Sequence, residues 1–272
     1  MFSINLTTTD SRLHLCSSTV WSLLNQSLKP DLINIWVSKD AYMSDKGIGF
    51  IPKWIDDFNN INNIIRLNFV DNTGPYRKFF PALNISSSSD IIAYADDDVI
   101  YGENWLKLLF DCYIENEGKF VVASRVRLRK KNILGYYKSY NMAKLVSSSS
   151  LLKSDYIITG VGGCIFKKSD VLSEFHNNTD YLSLAPRADD LWISSIFQIS
   201  NATVMVCPQA LECVYEISHD MNSLNSYNNI SLDGNLFMKI YKRVKMKVLG
   251  YLGLRLSNND KILEKLSRYF NK

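Results

Sequence analysis

The stretch Asp90-Ile91-Ile92-Ala93-Tyr94-Ala95-Asp96-Asp97-Asp98-Val99 runs mostly apolar for five residues and then stops on three carboxylates. An apolar run between polar flanks predicts a buried strand, which sets Asp96, Asp97 and Asp98 at its C-terminal end. Open α/β sheets bind their ligands at that edge. Three adjacent carboxylates in a partly dry crevice repel one another, and their proton affinity rises unless a cation or hydrogen-bond donors compensate. Hard divalent cations such as Mn2+ or Mg2+ take carboxylate oxygens and keep positions open for phosphate oxygens. The triplet therefore points to a ligand that carries a diphosphate. The alternative, a helix cap or a solvated loop, is the commoner fate of an acidic triplet with no strand before it; here both strand and following helix are expected.

Outward from the triplet, strand and helix alternate. Upstream, residues 2–6 predict a first strand, and residues 11–28 a helix with Leu13, Cys16, Val20, Leu23 and Leu24 at helical spacing, closed by Lys29-Pro30. Residues 33–37 predict a second strand, and Trp54 and Phe58 a short helix opened by Pro52. Residues 64–70 predict a third strand, ended by the turn signal Asp71-Asn72-Thr73-Gly74-Pro75. Downstream, Trp105, Leu108, Leu109 and Cys112 form a helical stripe that stops at Gly118, followed by one strand over residues 120–128 and a last core strand over 202–207. The expected fold class is α/β: a single domain over residues 1–220 with a mostly parallel central sheet covered by helices on both faces. A basic helical C-terminal extension over residues 221–272 is expected to follow it.

Hydrophobic residues at 46% and aromatics at 12% exclude a disordered chain. Cys16, Cys112, Cys164, Cys207 and Cys213 are odd in number and lack the short paired spacings of zinc or redox sites, so they read as reduced core thiols. The N-terminus has neither a basic region nor a long apolar run, so no signal peptide or anchor is expected and the cytoplasm is the predicted location. The net charge of +4 hides an asymmetry. From Asn235 onward there are ten Lys or Arg against Asp260 and Glu264, leaving 21 basic and 25 acidic residues in the rest of the chain.

In that tail Leu236, Phe237, Ile240, Val244, Val248 and Leu252 recur at near-helical spacing among Lys239, Lys242, Arg243, Lys245 and Lys247. A basic amphipathic helix suits an anionic membrane surface, and its charges keep it from spanning one. A helix packed on the body, or a dimer contact, is the alternative. Nucleic acid is not an expected partner, because no recognition motif or aromatic-basic platform accompanies the charge.

Two further constellations lie beyond the triplet. Gly160, Gly162 and Gly163 sit between two apolar runs, where glycine permits a bulge, a tight turn or close approach to a ligand; the spacing fits neither a phosphate loop nor a dinucleotide fingerprint. Asp189 and Asp190 precede an apolar helix, so one can cap it and the other is left for chemistry such as proton abstraction. Arg125, Arg127 and Arg129 alternate and share one face if they lie on one strand. His14 falls inside the first helix and His176 follows a short one, and both read as structural.

The order of these motifs, a strand ending in Asp96-Asp97-Asp98, a Trp105-bearing helix, Gly160-Val161-Gly162-Gly163, then Ala188-Asp189-Asp190, resembles glycosyltransferases of the nucleotide-sugar-binding A-type (GT-A) fold. Within that fold the chain is similar to family 2-like bacterial enzymes of O-antigen and capsule assembly, over roughly residues 1–220. The resemblance implies a hexose transferred from a nucleotide-diphospho-sugar, UDP-glucose or UDP-galactose, to a lipid-linked saccharide acceptor at the inner face of the plasma membrane. It implies Asp98 and Asp96 as ligands of Mn2+ or Mg2+, with His219 as the third ligand that some relatives supply. Asp96 would also face the ribose, with Asp97 beside it. Thr7, Thr8 and Asp40 match positions that hold the nucleotide base, Lys78 a basic residue near the donor, and Gly162 and Gly163 the donor-side glycine turn. Asp190, with Asp189 in reserve, matches the catalytic base. An inverting displacement is implied, with a retaining transferase or a non-catalytic nucleotide-sugar-binding protein as alternatives. The chain departs from the family in lacking a proline in its first loop and a second acidic residue after strand two, which leaves the nucleotide open.

Overall fold

A computed structural model of the chain describes residues 1–218, 244, 245 and 247–271. The first part lays down four parallel strands, β1 (Phe2–Thr7), β2 (Leu32–Val37), β3 (Ile65–Phe69) and β4 (Ile91–Tyr94), side by side in the order β3-β2-β1-β4. Helices α1 (Leu13–Leu24), α2 (Lys53–Asn59) and α3 (Phe80–Ile85) make the crossovers, the last preceded by a 3-10 turn over Gly74–Lys78. Then come β5 (Val99–Tyr101), α4 (Trp105–Glu115), β6 (Val121–Ala123), β7 (Val126–Leu128), β8 (Lys144–Leu145), β9 (Leu151–Leu152), β10 (Tyr156–Ile158) and β11 (Cys164–Phe166). The chain continues through α5 (Tyr181–Leu184), α6 (Asp189–Ile199), β12 (Val204–Val206), α7 (Pro208–Leu211), β13 (Val214–Glu216) and α8 (Asn258–Phe270).

The central sheet extends as β4-β11-β6-β12-β9. Strand β11 runs antiparallel between β4 and β6, whereas β6 and β12 are parallel. Alternation along β4 divides the core: Ile92 and Tyr94 join Phe79, Phe166, Trp192 and Phe197 on one face, and Ala93 joins Ile4, Val20, Ile33 and Trp105 on the other. Small sheets β10-β7-β8 and β13-β5 flank the C-terminal edge.

Two expected elements differ. The single strand over residues 120–128 is two strands in different sheets, because the chain bends at Ser124, whose buried hydroxyl donates to the Gly162 carbonyl at 2.6 Å. The first helix ends at Leu24 rather than near residue 28, since fully buried Gln26 turns its amide to the Tyr101 and Gly102 carbonyls and accepts from the Leu106 N–H. All five cysteines are free thiols.

The boundary expected between residues 220 and 221 lies outside the described residues, as do Leu236, Phe237, Lys239, Ile240, Lys242 and Arg243. Helix α8 packs Leu263 and Leu266 into the core beside α6. Its N-terminus is fastened by Ser257 and Asp260 in a capping box, and Asp260 also accepts from the Ser139 hydroxyl and the Tyr140 N–H. No described helix is long and apolar enough to cross a membrane.

Candidate active site

Strand β4 ends where its hydrogen bonding to β1 ends, with the Ala95 N–H on the Asn5 carbonyl, and the triplet follows at once. The loop is held on both sides. The Asp96 N–H donates to the Tyr101 hydroxyl at 3.1 Å, the Val99 N–H to the Thr19 hydroxyl at 3.2 Å, and the Ile217 N–H to the Asp98 carbonyl at 2.9 Å. The carboxylates are thus presented by fixed backbone at the sheet's ligand edge.

Three cations come from other elements, Arg12 half-buried and Arg77 and Lys78 buried. Arg12, on the 3-10 turn before α1, bridges Asp97 and Asp98, the latter at 2.8 Å. Arg77 pairs with Asp45 at 2.9 Å and donates to the Thr7 hydroxyl and the Thr8 carbonyl, both at 3.0 Å. Lys78 lies between Asp96 at 2.6 Å and Asp189 at 2.9 Å. Burial works against its ammonium, but Asp189 and Asp96 more than offset this and raise its pKa. Arg77 and Lys78 are 1% and 5% exposed, so neither is a solvated surface cation.

The glycine turn serves the carboxylates through Gly160. A Cβ there would stand 2.5 Å from Asp96 Oδ1 and 2.7 Å from Lys78 Nζ. The Gly160 N–H donates to Asp190 Oδ1 at 2.9 Å, and neither Asp189 nor Asp190 caps α6 with its side chain. Burial, then the neighbouring Asp189 carboxylate, pushes the Asp190 carboxyl up to about 8. Burial likewise raises Asp97 to about 6 against the pull of Arg12, and raises Asp96 against that of Lys78.

These groups open on one cavity of about 500 Å³, lined by Thr7, Thr8, Lys78, the three triplet aspartates, Asp189 and Asp190. That volume is in the range of small-ligand sites. Three expected donor residues are elsewhere. Asp40 is exposed beside a separate shallow depression with Phe69 and Asp71. Gly162 and Gly163 sit behind the cavity wall, where the Gly162 carbonyl accepts from Trp105 Nε1 at 2.9 Å and Gly163, at φ +79°, lies against the Trp105 ring. His219 lies outside the described residues. Of the arginine series, Arg125 and Arg127 line the cavity, whereas Arg129 stacks on Tyr137 at 4.0 Å. His14 is exposed on α1, and His176 Nε2 meets the Val171 carbonyl at 3.0 Å.

The sequence reading missed Arg12, Asp45, Arg187 and Glu216, all of which line the space. For Asp45 a signal existed: it is an acidic residue in the loop after the second strand, brought in by a tight bridge between Tyr42 and Asp45.

The residues suit a divalent cation. Asp96, Asp97, Asp98, Asp189 and Asp190 face two paired cations, Arg12 and Lys78. Asp96 and Asp98 bring carboxylate oxygens to the cavity, and an all-oxygen donor set suits Mn2+ or Mg2+. Among the described residues no three His, Cys, Asp or Glu side chains converge as a closed cage, so Asp96 and Asp98 would share such an ion with ligand or water oxygens.

No protein-family model and no curated protein matches the sequence. Solved structures match it in fold. The crystal structure of GalNAc-T7 with UDP, GalNAc and Mn2+ covers 92% of this chain at a TM-score of 0.52 and 12% identity. The chain spans 50% of the length of that protein. At that identity the likeness is one of architecture, and this chain has the α/β fold of a single GT-A domain.

Proposed function

We propose that the chain is a metal-dependent glycosyltransferase that moves a hexose from a nucleotide-diphospho-sugar, UDP-glucose or UDP-galactose, to a saccharide carried on a lipid diphosphate. The observation that carries this reading is the meeting, in one cavity, of the triplet, Lys78 and the half-buried Asp190, whose carboxyl is held at about 8. A carboxyl near neutrality is poised to take the proton of a sugar hydroxyl. The fold shared with a protein crystallised with UDP and Mn2+ supports the donor class and the ion. The motif order supports the setting, assembly of bacterial O-antigen or capsule repeat units on the inner face of the plasma membrane.

Asp98 and Asp96 would hold the Mn2+ or Mg2+, which supplies charge stabilisation to the departing diphosphate. Asp190 Oδ2 takes the acceptor hydroxyl proton, the acceptor oxygen bonds to the anomeric carbon, and the bond from that carbon to the diphosphate breaks. Lys78, fixed between Asp96 and Asp189, keeps a positive charge beside the triplet throughout. Arg125 and Arg127 bring further positive charge to the cavity wall. A single displacement of this kind inverts the anomeric centre, so an α-linked donor yields a β-glycoside. The basic C-terminal extension would hold the enzyme on an anionic leaflet, where its acceptor resides.

Calorimetry with UDP-, GDP- and dTDP-sugars, with and without Mn2+, tests this. Metal-dependent binding of one nucleotide class is expected, abolished by Asp98→Ala. Failure of every donor to bind the folded protein would overturn the reading.

A further inference from the structure

A hairpin over residues 129–138 leaves the body between β7 and β8, closed by a bridge between Lys131 and Tyr137. Its turn is well ordered by one side chain: buried Asn132 accepts from the Leu134 and Tyr136 N–H groups at 2.9 and 3.0 Å. The tip nevertheless presents Ile133, Leu134 and Tyr136 at 87%, 64% and 64% exposure. Single exposed apolar residues are ordinary, but three on one hydrogen-bonded turn form a patch that folding has not covered. The stem beneath it carries Lys130, Lys131 and Lys138.

A second apolar strip adjoins this tip. Asn132 Nδ2 donates to the Tyr251 carbonyl and the Ser139 N–H to the Gly250 carbonyl, each at 2.9 Å, and the Lys138 ammonium lies 4.6 Å from the Tyr251 ring centre. The segment so fastened is helical over residues 247–251 and exposes Val244, Val248 and Leu252, with Lys245 and Lys247 beside them. Apolar residues flanked by lysines, from two chain segments bonded to each other, complement an apolar layer beneath negative headgroups.

We propose that the hairpin tip and this helix form one membrane-docking surface, with Ile133, Leu134 and Tyr136 entering the headgroup layer of an anionic bilayer and the stem lysines meeting its phosphates. The hairpin's feet belong to the cavity wall, since Arg127 lines it on one side and Tyr140 and Asn141 on the other. Docking through the tip therefore tethers the edge of the cavity to the lipid surface. The purpose of the tether rests on the lipid-linked acceptor proposed above; the surface itself does not.

The test is co-sedimentation of the full chain with phosphatidylglycerol/phosphatidylcholine vesicles and with phosphatidylcholine alone, in the absence of donor and acceptor. Binding to the anionic vesicles is expected, at least tenfold weaker for Ile133→Asp/Leu134→Asp at an unchanged melting temperature. In Leu134→Trp the introduced indole should show blue-shifted emission on anionic vesicles and quenching by doxyl-labelled lipid. Undiminished binding of the double variant, an indole that stays in water, or a patch that proves to mediate self-association of the chain in sedimentation would each overturn the inference. Transfer to a water-soluble acceptor analogue reads the catalytic proposal separately, because that assay needs no vesicle.

Discussion

The backbone N–H of Gly160 donates to Oδ1 of Asp190 at 2.9 Å, so a neighbouring turn, and not its own helix, aims this carboxylate. Burial then holds the group up to about 8, which fixes the direction of its pH dependence. Only the ionised form accepts a proton, so the transfer rate should climb about tenfold per pH unit below the pKa and level off above it. Asp190→Asn should lower kcat by about 10²–10⁴ and abolish that limb while donor binding stays intact. A wild-type profile flat from pH 6 to 9 would remove Asp190 from the role of base.

Gly160→Ala should inactivate without unfolding. The added methyl meets Asp96 and Lys78 at their point of contact and forces the pair apart. We expect kcat/KM to fall at least tenfold, on the order of 1.4 kcal/mol or more in transition-state stabilisation. Wild-type kinetics in this variant would show that the turn yields and the pair need not be so placed.

Arg12 already occupies two of the three triplet carboxylates. Replacing it with Ala removes a competing cation, so Mn2+ titrated into the donor-free protein should bind more tightly. Isothermal calorimetry reads the change directly. Weaker binding in Arg12→Ala would mean that the arginine shapes the ion site and does not compete for it.

Lys78 is a buried cation shared by two carboxylates. Lys78→Met leaves Asp96 and Asp189 without it, and breaking a buried pair from one side costs about 3–5 kcal/mol. Urea denaturation should show a loss of that order. A loss below about 1 kcal/mol would indicate that water or protonation relieves the carboxylates.

Much of the architecture is legible in the chain because β1 to β4 are local apolar runs with short connections, and the triplet falls where the last of them ends. What was not legible depends on partners distant in sequence. Nothing near Ser124 announces the bend that separates β6 from β7, because its partner is the Gly162 carbonyl. The pairing of Arg77 with Asp45, and of Arg12 with Asp97, exists only once the first loop, the loop after β2 and the turn before α3 converge. Asp40 was the acid matched after the second strand, yet the chain continues through Tyr42 and turns Asp45 inward instead. The glycine cluster was read as a donor surface, whereas Gly160 gives room to side chains and Gly162 and Gly163 give room to Arg125 and Trp105.

The antiparallel strand β11 has a consequence for how the molecule comes into being. It stands between β4 and β6 although it is synthesised after both, and its register sets Cys164 opposite Tyr94. A nascent chain that has emerged only as far as β6 carries the acidic triplet but no Gly160 turn, no Asp190 and an unfilled gap in the middle of its sheet. Pairings between residues so far apart in sequence are slow to close. The site is therefore complete only once β11 has entered the sheet and α6 behind it has brought in Asp190, and an incomplete chain has the acidic triplet without that carboxylate.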